Sequence, residues 1–229
     1  MWYNLTPKLK PLCIFTIVID NWFPELCAIT LPRIKSWAER IGADFKIISD
    51  RKFPEFPLNY ERLQIHELGK DYYWNACIDA DYVIDPERLE NPSQNRDPLK
   101  VYSENAMNAD YFFAPHPYLL RDGRNDGIAD NFVMASWFTH DFWAPLDMSY
   151  DQASKYCIRN PRQVSEFCFT LNVARYGLKL DQVIRDRRWL VHLDATTHSE
   201  GGKEGVLARA QTAIEQIEQN SKIYHELKD

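Results

Sequence analysis

A chain of 229 residues, 45% hydrophobic and 14% aromatic, carries enough apolar side chains for a packed core, which excludes a disordered polymer. Its formal net charge of −6 argues against a nucleic-acid binder, which normally presents a basic face. No apolar run reaches the roughly eighteen residues of a membrane span, and the start, MWYNLTPKLKPLC, lacks an apolar signal core, so the expectation is an unexported, cytoplasmic chain.

The segment CIFTIVID, 13–20, is β-branched and aromatic and predicts a buried strand. Pro24 suits a first helical turn, and Leu26, Ile29, Ile34, Trp37, Ala38 and Ile41 recur at helical spacing up to Gly42, with Pro32 expected to kink or divide the helix. DFKIIS, 44–49, is a second strand. Strand, helix and strand at this length form a parallel crossover, the opening unit of a nucleotide-binding α/β sheet. A proline-bearing loop follows, then a short helix in YERLQIHELG ended by Gly69, then a strand over about 74–79. Residues 85–100 read as a surface loop. DYFFAP and DNFVMASWF are strand candidates separated by HPYLLRDGRNDGIA, whose two glycines suit a mobile loop. VSEFCFTLNVARYG, 164–177, predicts a helix, RWLVHLD, 188–194, a late strand, and Val206, Leu207, Ala210, Ile214, Ile217 and Tyr224 mark one face of a long closing helix. RDGR and RDRR each contain an aspartate and read as solvated turns or helix faces. The cysteines Cys13, Cys27, Cys77, Cys157 and Cys168 show no CxxC spacing and lie mostly in apolar segments, which fits a reducing compartment without disulfides. No repeat or linker stands out, so one α/β domain is expected.

NACIDADYVID, 75–85, sets Asp79, Asp81 and Asp85 at the end of an apolar strand. Residues two apart in extended chain point the same way, so Asp79 and Asp81 place two carboxylates on one face, on the order of 7 Å apart along the strand. Like charges there repel unless a cation sits between them. A hard divalent ion, Mg²⁺ or Mn²⁺, takes oxygen ligands and completes its shell with water and phosphate oxygens, and ligands of open α/β sheets bind at the carboxyl ends of strands. The same acids also fit a plain strand end and turn. Thr16, Val18 and Asp20 alternate with Phe15, Ile17 and Ile19, so that face is expected to contact base and ribose. Trp22, Phe53, Phe56 and Tyr60 could stack on a base or pack in the core.

The stretch YERLQIHELGKDYYWNACIDADYVID resembles the GT-A-fold glycosyltransferases of the glycogenin and bacterial galactosyltransferase type, where a helix carrying an arginine runs into an apolar strand and a DxD. The resemblance implies a GT-A-like α/β fold with a mixed, mainly parallel sheet, a long C-terminal helix and a nucleotide-sugar donor. A UDP-sugar is the expected donor, bound through Mn²⁺ or Mg²⁺, and a glycan, glycoprotein or glycolipid is the expected acceptor, as in polysaccharide biosynthesis. It makes Asp81 a direct metal ligand, Asp79 a ligand of metal or ribose, and Arg62 the donor-side arginine. HSEGGK is similar to the family's late His-x-x-Gly-x-x-Lys element, one residue shorter, which gives His198 to the metal and Lys203 to the diphosphate. His192, within WLVHLD, is the rival ligand and is read as a core residue. Glu166 takes the place of the acceptor-facing acid, the general base of an inverting enzyme, with Asp130 and Asn131 as further acceptor-side or donor-sugar candidates. About 13–85 would form the donor half, about 100–200 the acceptor half, and 203–226 the closing helix.

Two rivals remain open. DADYV also satisfies the opening of haloacid-dehalogenase phosphatases, with Asp79 as nucleophile, although no later acidic pair follows. A catalytically silent sugar- or nucleotide-binding module is the other. No P-loop, GxGxxG, HExxH or GxSxG occurs.

Overall fold

The structure is a computed structural model and describes residues 9–123, 126–128, 131–183, 186–195 and 201–226. Strand β1 (Lys10–Ile17) leads through a tight turn into helix α1 (Pro24–Arg40), with Pro24 in its first turn. The helix runs as one element through Pro32, so of the expected kink or division the division does not occur. One missing hydrogen bond is outweighed where Ile34, Trp37 and Ala38 are buried a turn further on. Strand β2 (Asp44–Ile48) then pairs parallel with β1, Cys13 opposite Asp44 and Ile17 opposite Ile48.

The short helix expected at 60–69 forms as a 3-10 segment, Leu58–Gln64, followed by one α turn, α2 (Ile65–Leu68). A buried carboxylate fixes this segment. Glu61, fully buried, accepts from the Arg51 guanidinium at 2.9 Å, from the backbone N–H groups of Lys52 and Phe53, and from Gln64 Nε2 at 2.8 Å. The loop 51–56 is thereby tied to the residue next to Arg62. Strand β3 (Tyr72–Ile78) lies parallel to β1, and Asp79 follows it directly. After β4 (Tyr82–Ile84), the stretch 85–99 contains no helix or strand, as expected.

The middle of the chain departs from expectation. Strand β5 (Lys100–Ser103) is not foreseen, and β6 (Ala106–Asn108) pairs antiparallel with β7 (Asp126–Ile128) in a small hairpin-like sheet. DYFFAP is not a strand: Ala109–Phe112 forms the single helical turn α3, because the Asn108 side chain accepts from the Asp110 N–H and caps it. Within the expected loop, α4 (Pro117–Asp122) starts the same way, with the His116 ring accepting from Tyr118 N–H. Strand β8 (Phe132–Ser136) falls within the expected DNFVMASWF and lies antiparallel to β3. After the turn α5 (Tyr150–Ala153) come α6 (Val164–Arg175), β9 (Lys179–Gln182), β10 (Leu190–His192) and the long closing helix α7 (Gly202–Glu226).

The main sheet has strand order β2-β1-β3-β8-β5-β9 and is mixed: β1, β2 and β3 run parallel, β8 runs against both its neighbours, and β9 is parallel to β5. One face packs on α6 and the 3-10 segments, with Phe167 and Phe169 beside Phe15, Cys77 and Val133; the other packs Ile14, Ala76 and Met134 on Ile34 and Trp37 of α1. A third cluster seats Val206, Ala210 and Ile217 of α7 against Leu26, Val83 and Leu193. All five cysteines are free and buried. No helix among the described residues is long and apolar enough to cross a membrane.

Gly69 ends α2 where the chain turns onto β3. A Cβ there would stand 2.7 Å from the Ile65 carbonyl oxygen and 2.6 Å from Oδ1 of the buried Asn75. Gly69→Ala is expected to lose about 1–3 kcal/mol of stability, read from the urea midpoint at unchanged slope.

Candidate functional site

The strands β1 and β3 end side by side, and β8, running the other way, begins beside them. Asp79 N–H donates to the Asn131 carbonyl at 2.9 Å, so the first acid is pinned between β3 and the entry to β8. The chain then turns back at Ala80 into β4, which pairs antiparallel with β10, His192 standing opposite Tyr82. That ribbon delivers the second acid and the histidine together. Leu193 N–H donates to the Asp81 carbonyl, and Ala195 N–H donates to Asp81 Oδ2 at 2.8 Å.

Ligand atoms of Asp79, Asp81 and His192 all lie within 4.8 Å of one another. His192 Nε2 is 3.2 Å from Asp81 Oδ2, its ring stacks on Tyr82, and its Nδ1 is 3.2 Å from the Asn131 side-chain amide. Arg62, almost wholly buried, donates to Asp79 Oδ1 at 2.9 Å. The group opens on a cleft of about 230 Å³ whose apolar wall is Ile17, Ile19, Trp22 and Leu58.

These contacts set the charge states. Burial pushes the Asp79 carboxyl up, helped by the like charge of Asp81 and opposed by Arg62. Burial alone would raise Asp81 too, but the His192 hydrogen bond and charge and the Ala195 N–H outweigh it and hold this carboxyl low. Burial would lower His192; its hydrogen bond and charge interaction with Asp81 win, and its pKa rises above the ordinary 6.5. The proton of this site therefore resides on the histidine or on Asp79 before it resides on Asp81.

Oxygen and imidazole donors in this number suit Mg²⁺ or Mn²⁺. Asp81 Oδ1 supplies the test of fit: it is buried and has no hydrogen-bond partner among the described residues, a costly state for a carboxylate oxygen unless a cation meets it.

Several expected residues fall elsewhere. His192 is not a core residue: its side chain lines the cleft, because β10 is an edge strand of a two-stranded ribbon and only Leu190 of it is buried. Thr16, Val18 and Asp20 do not face the cleft, whereas Ile17 and Ile19 do. Thr16 is fully buried, Val18 borders a separate groove against α1, and Asp20 is exposed in the left-handed region at φ 55°. Phe53, Phe56 and Tyr60 pack on one another, while Trp22 lines the cleft. Lys203 is exposed in the first turn of α7, its ammonium 5.1 Å from the Phe23 ring, and is not a lining residue. Asp130 and His198 lie outside the described residues. Glu166, in the first turn of α6, is half-buried and is not a lining residue; it accepts from Ser165 Oγ at 2.8 Å and from the amide of Asn59, which does line the cleft, at 3.4 Å. Asn59 and Asp194 line the cleft and are not foreseen; the polar residue one turn before Arg62 is the only sequence hint of the first.

No protein-family model matches the chain, and no curated protein matches it. Solved structures do. A glycosyltransferase involved in the glycosylation of the major capsid of PBCV-1 superposes with a TM-score of 0.51 at 9% identity, over 88% of this chain and 99% of that one. The galactosyltransferase LgtC, solved with donor and acceptor sugar analogues, gives 0.49 at 13% identity, over 87% and 95%. At such identities the likeness is one of fold, and the capsid glycosyltransferase carries it: the mixed sheet with its flanking helices and long closing helix is a GT-A-type fold.

Because a metal needs deprotonated ligands, protons on His192 and Asp79 compete with it. Both groups are raised, so the competition extends across neutral pH and fades as pH climbs. The rise in melting temperature on adding Mn²⁺ is expected to be larger at pH 8 than at pH 6, measured by differential scanning fluorimetry at fixed ionic strength; an equal or smaller rise at pH 8 contradicts these charge states.

Proposed function

We propose that this chain transfers a glycosyl group from a nucleotide-diphosphate sugar to a hydroxyl acceptor. The observation that carries the reading is the Asp79–Asp81–His192 group at the carboxyl ends of β1 and β3 in a GT-A-type fold. Asp81, His192 and Asp79 would hold the metal. The ion, Mn²⁺ or Mg²⁺, neutralises the leaving diphosphate when bound. A UDP-sugar is the first donor to test, a glycan, glycoprotein or glycolipid hydroxyl the acceptor class, and the cytoplasm the expected compartment.

The chain's own groups supply the remainder. Arg62 would set its guanidinium charge beside the leaving phosphates, Ile17, Ile19 and Trp22 exclude water from one side, and Asn131 orients the His192 ring. Glu166 is the general base if configuration inverts: its carboxylate takes the acceptor hydroxyl's proton as the new C1–O bond forms. The C1–O bond to phosphate breaks in that step, and the nucleotide diphosphate leaves with the electron pair. Asn59, which lines the cleft, joins this acid to it. The phosphatase reading asks for a further acidic pair, whereas the third ligand near Asp79 and Asp81 is a histidine.

The first experiment is a panel of nucleotide sugars screened for metal-dependent thermal stabilisation, with variants. Asp81→Asn is expected to abolish Mn²⁺-dependent stabilisation by the best donor. His192→Ala is expected to lower Mn²⁺ affinity at least tenfold with the fold retained; undiminished affinity would remove His192 from the metal.

The mechanism is tested at Glu166. Glu166→Gln keeps the shape and loses the proton acceptor, so an inverting enzyme is expected to lose roughly 10²–10⁴-fold in transfer rate at unchanged donor affinity. Product anomeric configuration by NMR accompanies the rate. An inverted product formed at near-normal rate excludes Glu166 as the base.

A further inference from the structure

A second cavity, of about 700 Å³, lies at the far end of the β4–β10 ribbon from the acids. Trp189 borders it and His192 borders the first cleft, so the two are three positions apart, about 10 Å of strand. The two cavities share no lining residue. Leu89, Val183, Trp189 and Tyr224 form its apolar walls.

Two arginines face this space without a carboxylate in ion-pair range among the described residues. Arg88 lies over the Tyr224 ring at 4.4 Å with one amino nitrogen 2.6 Å from a His225 ring nitrogen, and its buried Nε has no hydrogen-bond partner among the described residues. Arg96 lies over Tyr102 at 5.1 Å, with Nε donating to the Pro92 carbonyl. Stacking on a ring fixes the plane of a guanidinium and leaves its edge free for a planar or tetrahedral anion. Arg188, by contrast, is already paired with Asp186 at 2.5 Å. A buried donor without an acceptor is unfavourable, and in a chain of net charge −6 an unpaired pair of cations at a cavity is a place for an anion.

Glu87 and Glu90 also line the cavity and are exposed. They would repel a bare anion but accept hydrogen bonds from hydroxyl groups. A ligand with both an anionic group and several hydroxyls satisfies all four side chains. We propose that this cavity binds a saccharide bearing a carboxylate or a phosphate, its anion between Arg88 and Arg96 and its hydroxyls on Glu87 and Glu90. The site stands on its own residues and does not depend on the transfer reaction or on a metal.

The test is calorimetric titration of the full chain in chelator with trigalacturonate, glucose 6-phosphate and, as the uncharged control, maltotriose. Binding of the uronate identifies an acidic glycan, binding of the phosphate a free sugar phosphate, and either supports the site when maltotriose does not bind. Arg88→Gln and Arg96→Gln are each expected to weaken the acidic probe at least tenfold, with melting temperature checked for both. Arg96 packs on Tyr102 whereas Arg88 packs on Tyr224 and His225 of α7, so the Arg96 variant carries the test if Arg88→Gln unfolds. Asp81→Asn is expected to leave this binding unchanged. No binding of either acidic probe, equal binding of maltotriose, full affinity in both arginine variants, or loss in Asp81→Asn would each overturn the proposal.

Discussion

Two carboxylates of like charge, brought together at the end of one strand and partly shielded from water, are the constraint around which this site is built. Unit charges about 5 Å apart repel by about 3 kcal/mol at an effective dielectric of about 20. The fold answers with groups from two distant segments. Arg62 approaches Asp79 from the 3-10 segment before β3, and His192 with the Ala195 N–H approaches Asp81 from the end of β10. The acids are thus held by elements on either side, and the opposing pKa shifts of Asp79 and Asp81 record an uneven division of that help.

The surrounding structure serves to keep those contacts in place. Arg62 can reach Asp79 because Glu61, its neighbour, is locked by Arg51, Gln64 and two backbone N–H groups, so a fully satisfied buried carboxylate fixes the segment that presents the cation. His192 can reach Asp81 because β4 and β10 form their own ribbon beside the main sheet, seated on α7 through Val83, Leu193 and Val206. Ile17 and Ile19 at the end of β1 give the acids a dry wall, which strengthens each charge interaction across the cleft.

The opening strand, helix and strand, β3, α6 and α7 were legible because each is a long run with one dominant periodicity. The acids were legible because charge at the end of an apolar strand contradicts its surroundings. What failed did so for local reasons. The residues of β1 from Leu12 to Thr16 are buried on both sides of the sheet, so alternation carries no information about which face meets the cleft, and the expected parity of Thr16, Val18 and Asp20 was inverted. His192 sits among Leu190, Val191 and Leu193 in sequence, yet it lies on a three-residue edge strand where apolar neighbours do not imply burial. DYFFAP has strand composition, but a cap at Asn108 converts it into a helical turn. Asn59 offers only its place one turn before Arg62 as a sequence signal, because its contact with Glu166 spans 107 positions.

The charge count of the site favours a ligand that brings charges of both signs. With neutral His192, the described cluster of Asp79, Asp81 and Arg62 carries one net negative charge. A divalent cation alone would reverse that sign and compete with Arg62 for Asp79. A diphosphate alone would add negative charge to a pair of acids that already repel. Cation and diphosphate together would satisfy each group: Asp81, with its orphaned oxygen, would hold the ion, and Arg62 would stand between Asp79 and the added negative charge. Binding of the two is therefore expected to be mutually dependent, each strengthening the other through Asp79, Asp81, His192 and Arg62.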